Sequence, residues 1–121
     1  MREIVNVNLP GRAYDVVIGP DLLAEAGTYL APLLVRQKVT VISDTNVAAL
    51  HLDALRDGLA TAGIQMQAMT LPPGEATKSW ERLGTCCDWL LDQKVERSDV
   101  VIAFGGGVVG DLVGFAAAIL R

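Results

Sequence analysis

The sequence has little of several residue types on which whole classes of protein depend. It has two Trp, two Tyr and two Phe, too few aromatic side chains for a platform on which nucleic-acid bases stack. Its single histidine, His51, cannot build a histidine-based metal site within this chain alone. The two cysteines, Cys86 and Cys87, are adjacent and cannot form an ordinary structural disulfide, so we expect buried packing in a reducing, cytoplasmic setting.

Basic residues are also in the minority, with 10 Lys and Arg against 14 Asp and Glu, a net charge of −4 and a pI near 4.8. This balance argues against a general nucleic-acid or anionic-membrane surface. No apolar run is long enough to span a bilayer, and the start at Met1–Ile4 lacks the features of a signal peptide. With 51% hydrophobic residues, 1–121 can form the core of one domain.

The most informative stretch is an apolar run, Val100–Phe104, followed by the three glycines Gly105–Gly107 and a helical pattern from about Val109 to the end. Such a run suits a buried strand of a parallel sheet, and the glycines allow close approach to backbone N–H groups. Gly105, Gly107 and Gly110 fit the G-x-G-x-x-G spacing of dinucleotide-binding folds. The spacing alone leaves two interpretations open, a phosphate-binding loop and an ordinary tight turn.

The remaining segments predict a hairpin and then alternating helices and strands. Apolar residues alternate on either side of Pro10–Gly11, and Asp21 is a plausible N-cap for a helix over 22–34 that Pro32 ends or bends. The further expected elements are strands at 38–44 and 64–71, a helix at 47–62 and a helix from Thr77 or Ser79 to about Gln93. We therefore predict an α/β fold: a Rossmann-like parallel sheet with helices on both faces, preceded by an N-terminal β-hairpin.

Three predicted strand ends carry polar residues or glycines. They are Ser43–Asn46, the loop Pro73–Lys78, and the triple glycine with Asp111. Ligands of parallel sheets bind outside the carboxyl ends of the strands, so these segments should converge on one binding edge.

Two of these segments resemble the 3-dehydroquinate synthase family. The residues that carry the resemblance are Pro73-Gly74-Glu75-Ala76-Thr77-Lys78-Ser79 and Gly105-Gly106-Gly107-Val108-Val109-Gly110-Asp111-Leu112-Val113-Gly114-Phe115. The likeness runs through essentially the whole chain but covers only the N-terminal part of the family's length. It implies that 1–121 is the NAD-binding α/β domain, with a metal and substrate domain beyond it. The apolar segment 115–121, which has no C-cap glycine, also predicts a chain that is part of a longer enzyme.

The resemblance implies a set of NAD-binding residues and no catalytic residue in this chain. Asp44 and Asn46 would meet the adenosine part, and Asp111 would lie near the nicotinamide. The alternatives are an N-cap for Asp44, a solvated capping pair for Glu75 and Lys78, and an acid complementing the helix dipole for Asp111. The full implied set is Asp44, Asn46, Gly74, Glu75, Lys78, Gly106, Gly107, Val108, Val109, Gly110 and Asp111.

The family implies a homodimer that acts on a small sugar phosphate, 3-deoxy-arabino-heptulosonate 7-phosphate, and releases phosphate to give 3-dehydroquinate. It also implies a divalent metal, zinc or cobalt, whose ligands lie outside this chain. Arg121 falls one position short of the family's phosphate-binding arginine and receives no such role. The alternatives are another sugar-phosphate cyclase, a glycerol-type metal-dependent dehydrogenase, and a non-catalytic nucleotide-binding module.

Overall fold

The computed structural model describes residues 3–10, 12–74, 79–96 and 98–120. An antiparallel hairpin comes first and alternating strands and helices follow it, which confirms the predicted α/β class with its N-terminal hairpin. The elements are β1 (Glu3–Leu9), β2 (Arg12–Ile18), α1 (Ala26–Leu30), β3 (Lys38–Asp44), α2 (Thr45–Ala60), β4 (Gln65–Leu71), α3 (Trp80–Asp92), β5 (Val100–Phe104) and α4 (Gly107–Ile119).

The segment expected to form one helix over 22–34 is instead broken into three short pieces. A 3₁₀ turn at Leu22–Glu25 leads into α1, and a second at Ala31–Leu33 contains Pro32. Asp21 is not the expected side-chain cap, because its backbone is left-handed (φ 58°) and its carboxylate makes no capping hydrogen bond. Apolar spacing does not distinguish i→i+3 from i→i+4 hydrogen bonding, and proline has no N–H to continue a helix.

The three parallel strands are ordered β4-β3-β5, so β3 is central. The chain leaves β3 through α2 to reach β4 on one side, and then crosses through α3 to β5 on the other side. Right-handed crossovers in opposite directions put the connecting helices on opposite faces of the sheet. The strand order therefore reverses between β3 and β5, and this switch point is where doubly wound sheets open a crevice.

Two hydrophobic cores flank the sheet, as the prediction of helices on both faces requires. Alternation along β3 sends Val39 and Val41 into the core beneath α2, while Ile42 enters the core beneath α3 and α4. The first core is completed by Leu55, Leu59 and Ile64, and the second by Leu71, Leu83, Cys86, Leu90, Val109, Leu112, Val113 and Ala116.

The helix ends follow local sequence signals. Ser79 caps α3 by accepting a hydrogen bond from the Arg82 N–H at 3.2 Å, one of the two predicted caps. Gly63 follows α2 with φ +74°, a left-handed conformation that ends helices. α4 begins at Gly107, two residues earlier than expected, because the glycine backbone already turns helical there.

An ion pair joins the two strands at their amino-terminal ends. It is formed by Arg36, which precedes β3, and Asp99, which precedes β5. The Asp99 carboxylate also accepts from the Glu96 N–H at 2.8 Å. Hydrogen bonding to Arg36 lowers the pKa of Asp99 below its ordinary value. Across the residues described, no helix combines the length and the apolar character needed to cross a membrane.

Candidate nucleotide site

The carboxyl ends of β3, β4 and β5 meet at one cavity of about 200 Å³. This convergence was predicted from the polar and glycine residues at the three strand ends. The lining residues are Asp44, Pro72, Pro73, Gly74, Gly106, Gly107, Val108 and Val109. The cavity lies at the topological switch point of the sheet, where doubly wound α/β proteins bind their ligands.

One wall of the cavity is the glycine loop and the first turn of α4. Gly106 is the N-cap of α4 with extended backbone (φ −84°, ψ −164°), and the Gly110 N–H returns to its carbonyl at 3.0 Å. The N–H groups that open a helix have no acceptor within it and carry the positive end of its dipole. The residues that bear these groups, Gly107, Val108 and Val109, line the cavity, which is an arrangement suited to phosphate oxygens.

The glycines of the loop have different surroundings. A Cβ on Gly106 or Gly107 would have no heavy atom within 4 Å, so a ligand can lie directly against that backbone. A Cβ on Gly105 would lie 3.1 Å from Val109 Cγ2 and 3.3 Å from Asp44 Oδ2. Gly105 therefore has little room for a side chain, whereas a Cβ at Gly106 or Gly107 would meet open space.

Asp44 caps α2 and also lines the cavity at the glycine loop. Its Oδ1 accepts a hydrogen bond from the Val47 N–H at 2.8 Å, so the interpretation as an N-cap is correct. The same half-buried side chain lines the cavity, with Oδ2 toward the glycine loop. One oxygen thus caps α2, while the other lies on the side of Gly105.

Ser43 is a buried polar residue whose position the sequence pattern did not single out. Its side chain is fully buried, and its hydroxyl donates to the Phe104 carbonyl at 2.6 Å. Ser43 and Phe104 are also the last register pair of the β3–β5 ladder. The only sequence signal is a polar residue within a buried strand, because its partner lies far away in the chain.

Asp111 lines a second cavity, of about 220 Å³, between the start of α3 and the middle of α4. That cavity is mostly apolar, and two of its lining side chains are the exposed Trp80 and Phe115, whose ring centroids are 6.3 Å apart. Ser79, Leu83 and Leu112 complete its lining. Asp111 is therefore one turn along α4 from the glycine loop and does not line the first cavity.

The other expected site residues are less central. Asn46 is exposed on the first turn of α2, and Gly110 is exposed on α4; neither lines the cavity at the glycine loop. Gly74 lines that cavity and has φ +95°, a conformation that favours glycine. Glu75 and Lys78 lie outside the described residues.

The thiols and the histidine have the structural surroundings that we expected. Cys86 is fully buried, and burial together with the neighbouring Cys87 raises its pKa to about 11. His51 is exposed on α2. Within the described ranges, no three side chains of His, Cys, Asp or Glu come close enough together to hold a metal ion.

A doubly wound α/β sheet with a glycine loop at its switch point defines the class of nucleotide-binding α/β domains. The sequence model of the 3-dehydroquinate synthase N-terminal family matches residues 68–121. Over all 121 residues the chain is 66% identical to a 3-dehydroquinate synthase of Roseobacter denitrificans and 63% identical to one of Ruegeria pomeroyi. The chain is thus similar to the N-terminal part of 3-dehydroquinate synthases, and it spans about a third (33%) of the length of these two relatives.

Solved structures agree with the fold. The chain superposes with a TM-score of 0.83 on a 2-deoxy-scyllo-inosose synthase, at 18% identity over 98% of this chain and 33% of that one. A 2-epi-5-epi-valiolone synthase from Streptomyces hygroscopicus, solved with NAD+ and Zn2+ bound, gives a TM-score of 0.78 at 31% identity. That match covers 95% of this chain and 31% of the other. The first likeness supports the architecture alone, whereas the second includes sequence.

Proposed function

We propose that this chain is an NAD-binding domain and that NAD binds in the cavity at the glycine loop. The observation that carries the proposal is the open backbone at Gly106 and Gly107, on a cavity that also includes Asp44 and Gly74. The structural relative at 31% identity was solved with NAD+ bound, which supports the choice of nucleotide.

The residues of the cavity fit the polar parts of NAD. The N–H groups at the start of α4 would donate to the pyrophosphate, since the residues that bear them line the cavity at the positive end of the helix dipole. Asp44 Oδ2 would accept from a ribose hydroxyl, with Asn46 beside it on the adenosine side. Asp111, one turn further along α4, would orient the nicotinamide end. The remaining proposed contacts are Gly74, Glu75, Lys78, Val108, Val109 and Gly110.

We further propose that the domain serves the reaction after which its relatives are named, conversion of 3-deoxy-arabino-heptulosonate 7-phosphate to 3-dehydroquinate and phosphate. Bound NAD supplies reversible hydride transfer, which makes a neighbouring C–H acidic while a ketone is present. The part played by this chain's residues is to bind and orient the nucleotide. A homodimer in the cytoplasm is part of the same proposal.

The described residues do not fit the zinc or cobalt ion that the family implies. The sequence holds one histidine, and no suitable cluster of side chains is present among the residues described. We therefore place the metal ligands outside this chain and assign no step of the reaction to it. Relatives 63–66% identical bear the 3-dehydroquinate synthase name, which disfavours another cyclase or a glycerol-type dehydrogenase.

The proposal is tested by titrating NAD+ into the 121-residue chain and two valine variants by calorimetry. Gly107→Val fills the space against the cavity and should weaken NAD+ binding tenfold or more, a loss of about 1.4 kcal/mol. Gly114→Val is the matched control, because Gly114 is also on α4 with open space and does not line the cavity. Thermal melts verify that both variants fold. Equal NAD+ affinity in folded Gly107→Val and Gly114→Val would refute the phosphate-binding role of the loop.

A further inference from the structure

The glycine loop begins at the residue after Phe104, and the position of Phe104 is determined by its pairing with β3. The ladder between β3 and β5 runs from Val39↔Val100 to Ser43↔Phe104 and ends there. The chain becomes helical at Thr45, immediately after β3. The backbone ladder between β3 and β5 therefore ends at Phe104, the residue directly before the glycine loop.

The side chain of Ser43 adds a hydrogen bond at this end of the ladder. Its hydroxyl donates to the Phe104 carbonyl at 2.6 Å and lies 3.3 Å from the carbonyl of Asp44. Ser43 is fully buried, and a low local dielectric strengthens such a hydrogen bond relative to one in water. The peptide that this hydrogen bond orients is the one that joins Phe104 to Gly105.

The orientation of the Phe104–Gly105 peptide affects the backbone that follows Gly105. A Cβ added at Gly105 would lie 3.1 Å from Val109 Cγ2 and 3.3 Å from Asp44 Oδ2, so the backbone there has less room than at Gly106 and Gly107 for a rotation of the Phe104–Gly105 peptide. It would pass instead to Gly106 and Gly107, whose backbone faces open space. The direction of the N–H groups at the cavity thus depends on the hydroxyl of a residue that does not line it.

We propose that Ser43 is a positioning residue for the glycine loop: its buried hydroxyl fixes the Phe104 carbonyl and thereby aims the loop amides at the ligand. This inference rests on the proposed binding of NAD at the loop. Ser43 itself touches no ligand, and it acts through the backbone of Phe104 and Gly105.

The test compares Ser43→Ala with Thr40→Val in the 121-residue chain. Both substitutions remove a hydroxyl from a fully buried residue of β3, but Thr40 pairs with Val101, far from the loop. Two measurements are made on each variant: NAD+ affinity by calorimetry, and amide hydrogen exchange of Gly105–Gly107 without ligand.

We expect Ser43→Ala to lose about three- to tenfold in NAD+ affinity, the effect of one hydrogen bond. We also expect exchange at Gly105–Gly107 to rise several-fold above that of Thr40→Val. Unchanged affinity and unchanged exchange in Ser43→Ala, or equal effects in both variants, would overturn the inference. If the unmodified chain binds no NAD+, the proposed function fails, and exchange at the loop alone then decides the role of Ser43.

Discussion

The carboxylate of Asp44 and the backbone of Gly105 lie so close that a Cβ on Gly105 would be 3.3 Å from Asp44 Oδ2. Asp44 ends β3 and Gly105 follows β5, so this contact joins the two strand ends that flank the switch point of the sheet. The other oxygen of the carboxylate, Oδ1, is held by the Val47 N–H. The Asp44 carboxylate, which lines the cavity, therefore also limits the room for a side chain at Gly105.

Alanine at Gly105 should destabilise the fold. The added Cβ would lie 3.1–3.2 Å from the buried Val109 side chain, whose β-branched χ1 has little freedom in a helix. We expect a loss of about 1–3 kcal/mol in the free energy of unfolding, measured by urea denaturation. Gly106→Ala is the control, since its Cβ meets no atom within 4 Å. Equal stability of the two variants would contradict this close packing.

Substitutions of Asp44 should separate its capping role from its proposed role in binding. Asparagine caps helices about as well as aspartate, so Asp44→Asn should unfold at nearly the same urea concentration as the unmodified chain. Asp44→Ala should lose about 1 kcal/mol of stability with the cap. Both variants lack the carboxylate and should bind NAD+ more weakly in calorimetry. Full NAD+ affinity in Asp44→Asn would show that the charge is not used.

Cys86 should resist thiol reagents in the native chain. Burial raises its pKa to about 11, so at pH 8 only about one thiol in a thousand is the reactive thiolate. Mass spectrometry after brief treatment with a maleimide should find Cys86 unmodified under native conditions and modified in urea. Burial also raises the pKa of the half-buried Cys87, which should react slowly. Rapid native labelling of Cys86 would contradict its burial.

The ion pair between Arg36 and Asp99, at the amino-terminal ends of β3 and β5, should make the free energy of unfolding depend on pH in the acid range. The pKa of Asp99 is lower in the folded chain than in the unfolded one, chiefly because Arg36 donates to its carboxylate. Its contribution is complete above the unfolded value of about 3.9 and is lost as the pH falls through the folded pKa.

Asp99→Asn should therefore cost about 1 kcal/mol at pH 7, the scale of one lost hydrogen bond. The difference between the variant and the unmodified chain should shrink as the pH is lowered from 4 to 2. Urea denaturation at several pH values measures this difference. A difference that stays constant over this range would mean that Asp99 stabilises the fold without its charge.

The sequence was sufficient to predict the order of strands and helices and the binding edge. Apolar runs of strand length alternate with helical periods, and polar residues or glycines stand at or after the strand ends, at Asp44, Gly74 and Gly105. It did not determine on which side of β3 the last strand pairs, because both orders satisfy the same alternation. The hydroxyl of Ser43 was missed for a related reason, since its partner is 61 residues away.

The sequence-based predictions were also wrong where local backbone conformation decides the structure. The apolar spacing over 22–34 fitted one helix, but the segment forms three short pieces, the last of which contains Pro32. The cap at Ser79 was predictable, because a serine before a helical period has a local partner in the N–H three residues later.

The pairing of Ser43 with Phe104 also determines when the cavity can form as the chain folds. The two residues are 61 positions apart, so the pair closes late relative to the local β3–α2–β4 contacts. Any intermediate without docked β5 lacks the wall formed by α4. A nucleotide held there stabilises only the complete fold. It should therefore slow unfolding and leave the refolding rate unchanged.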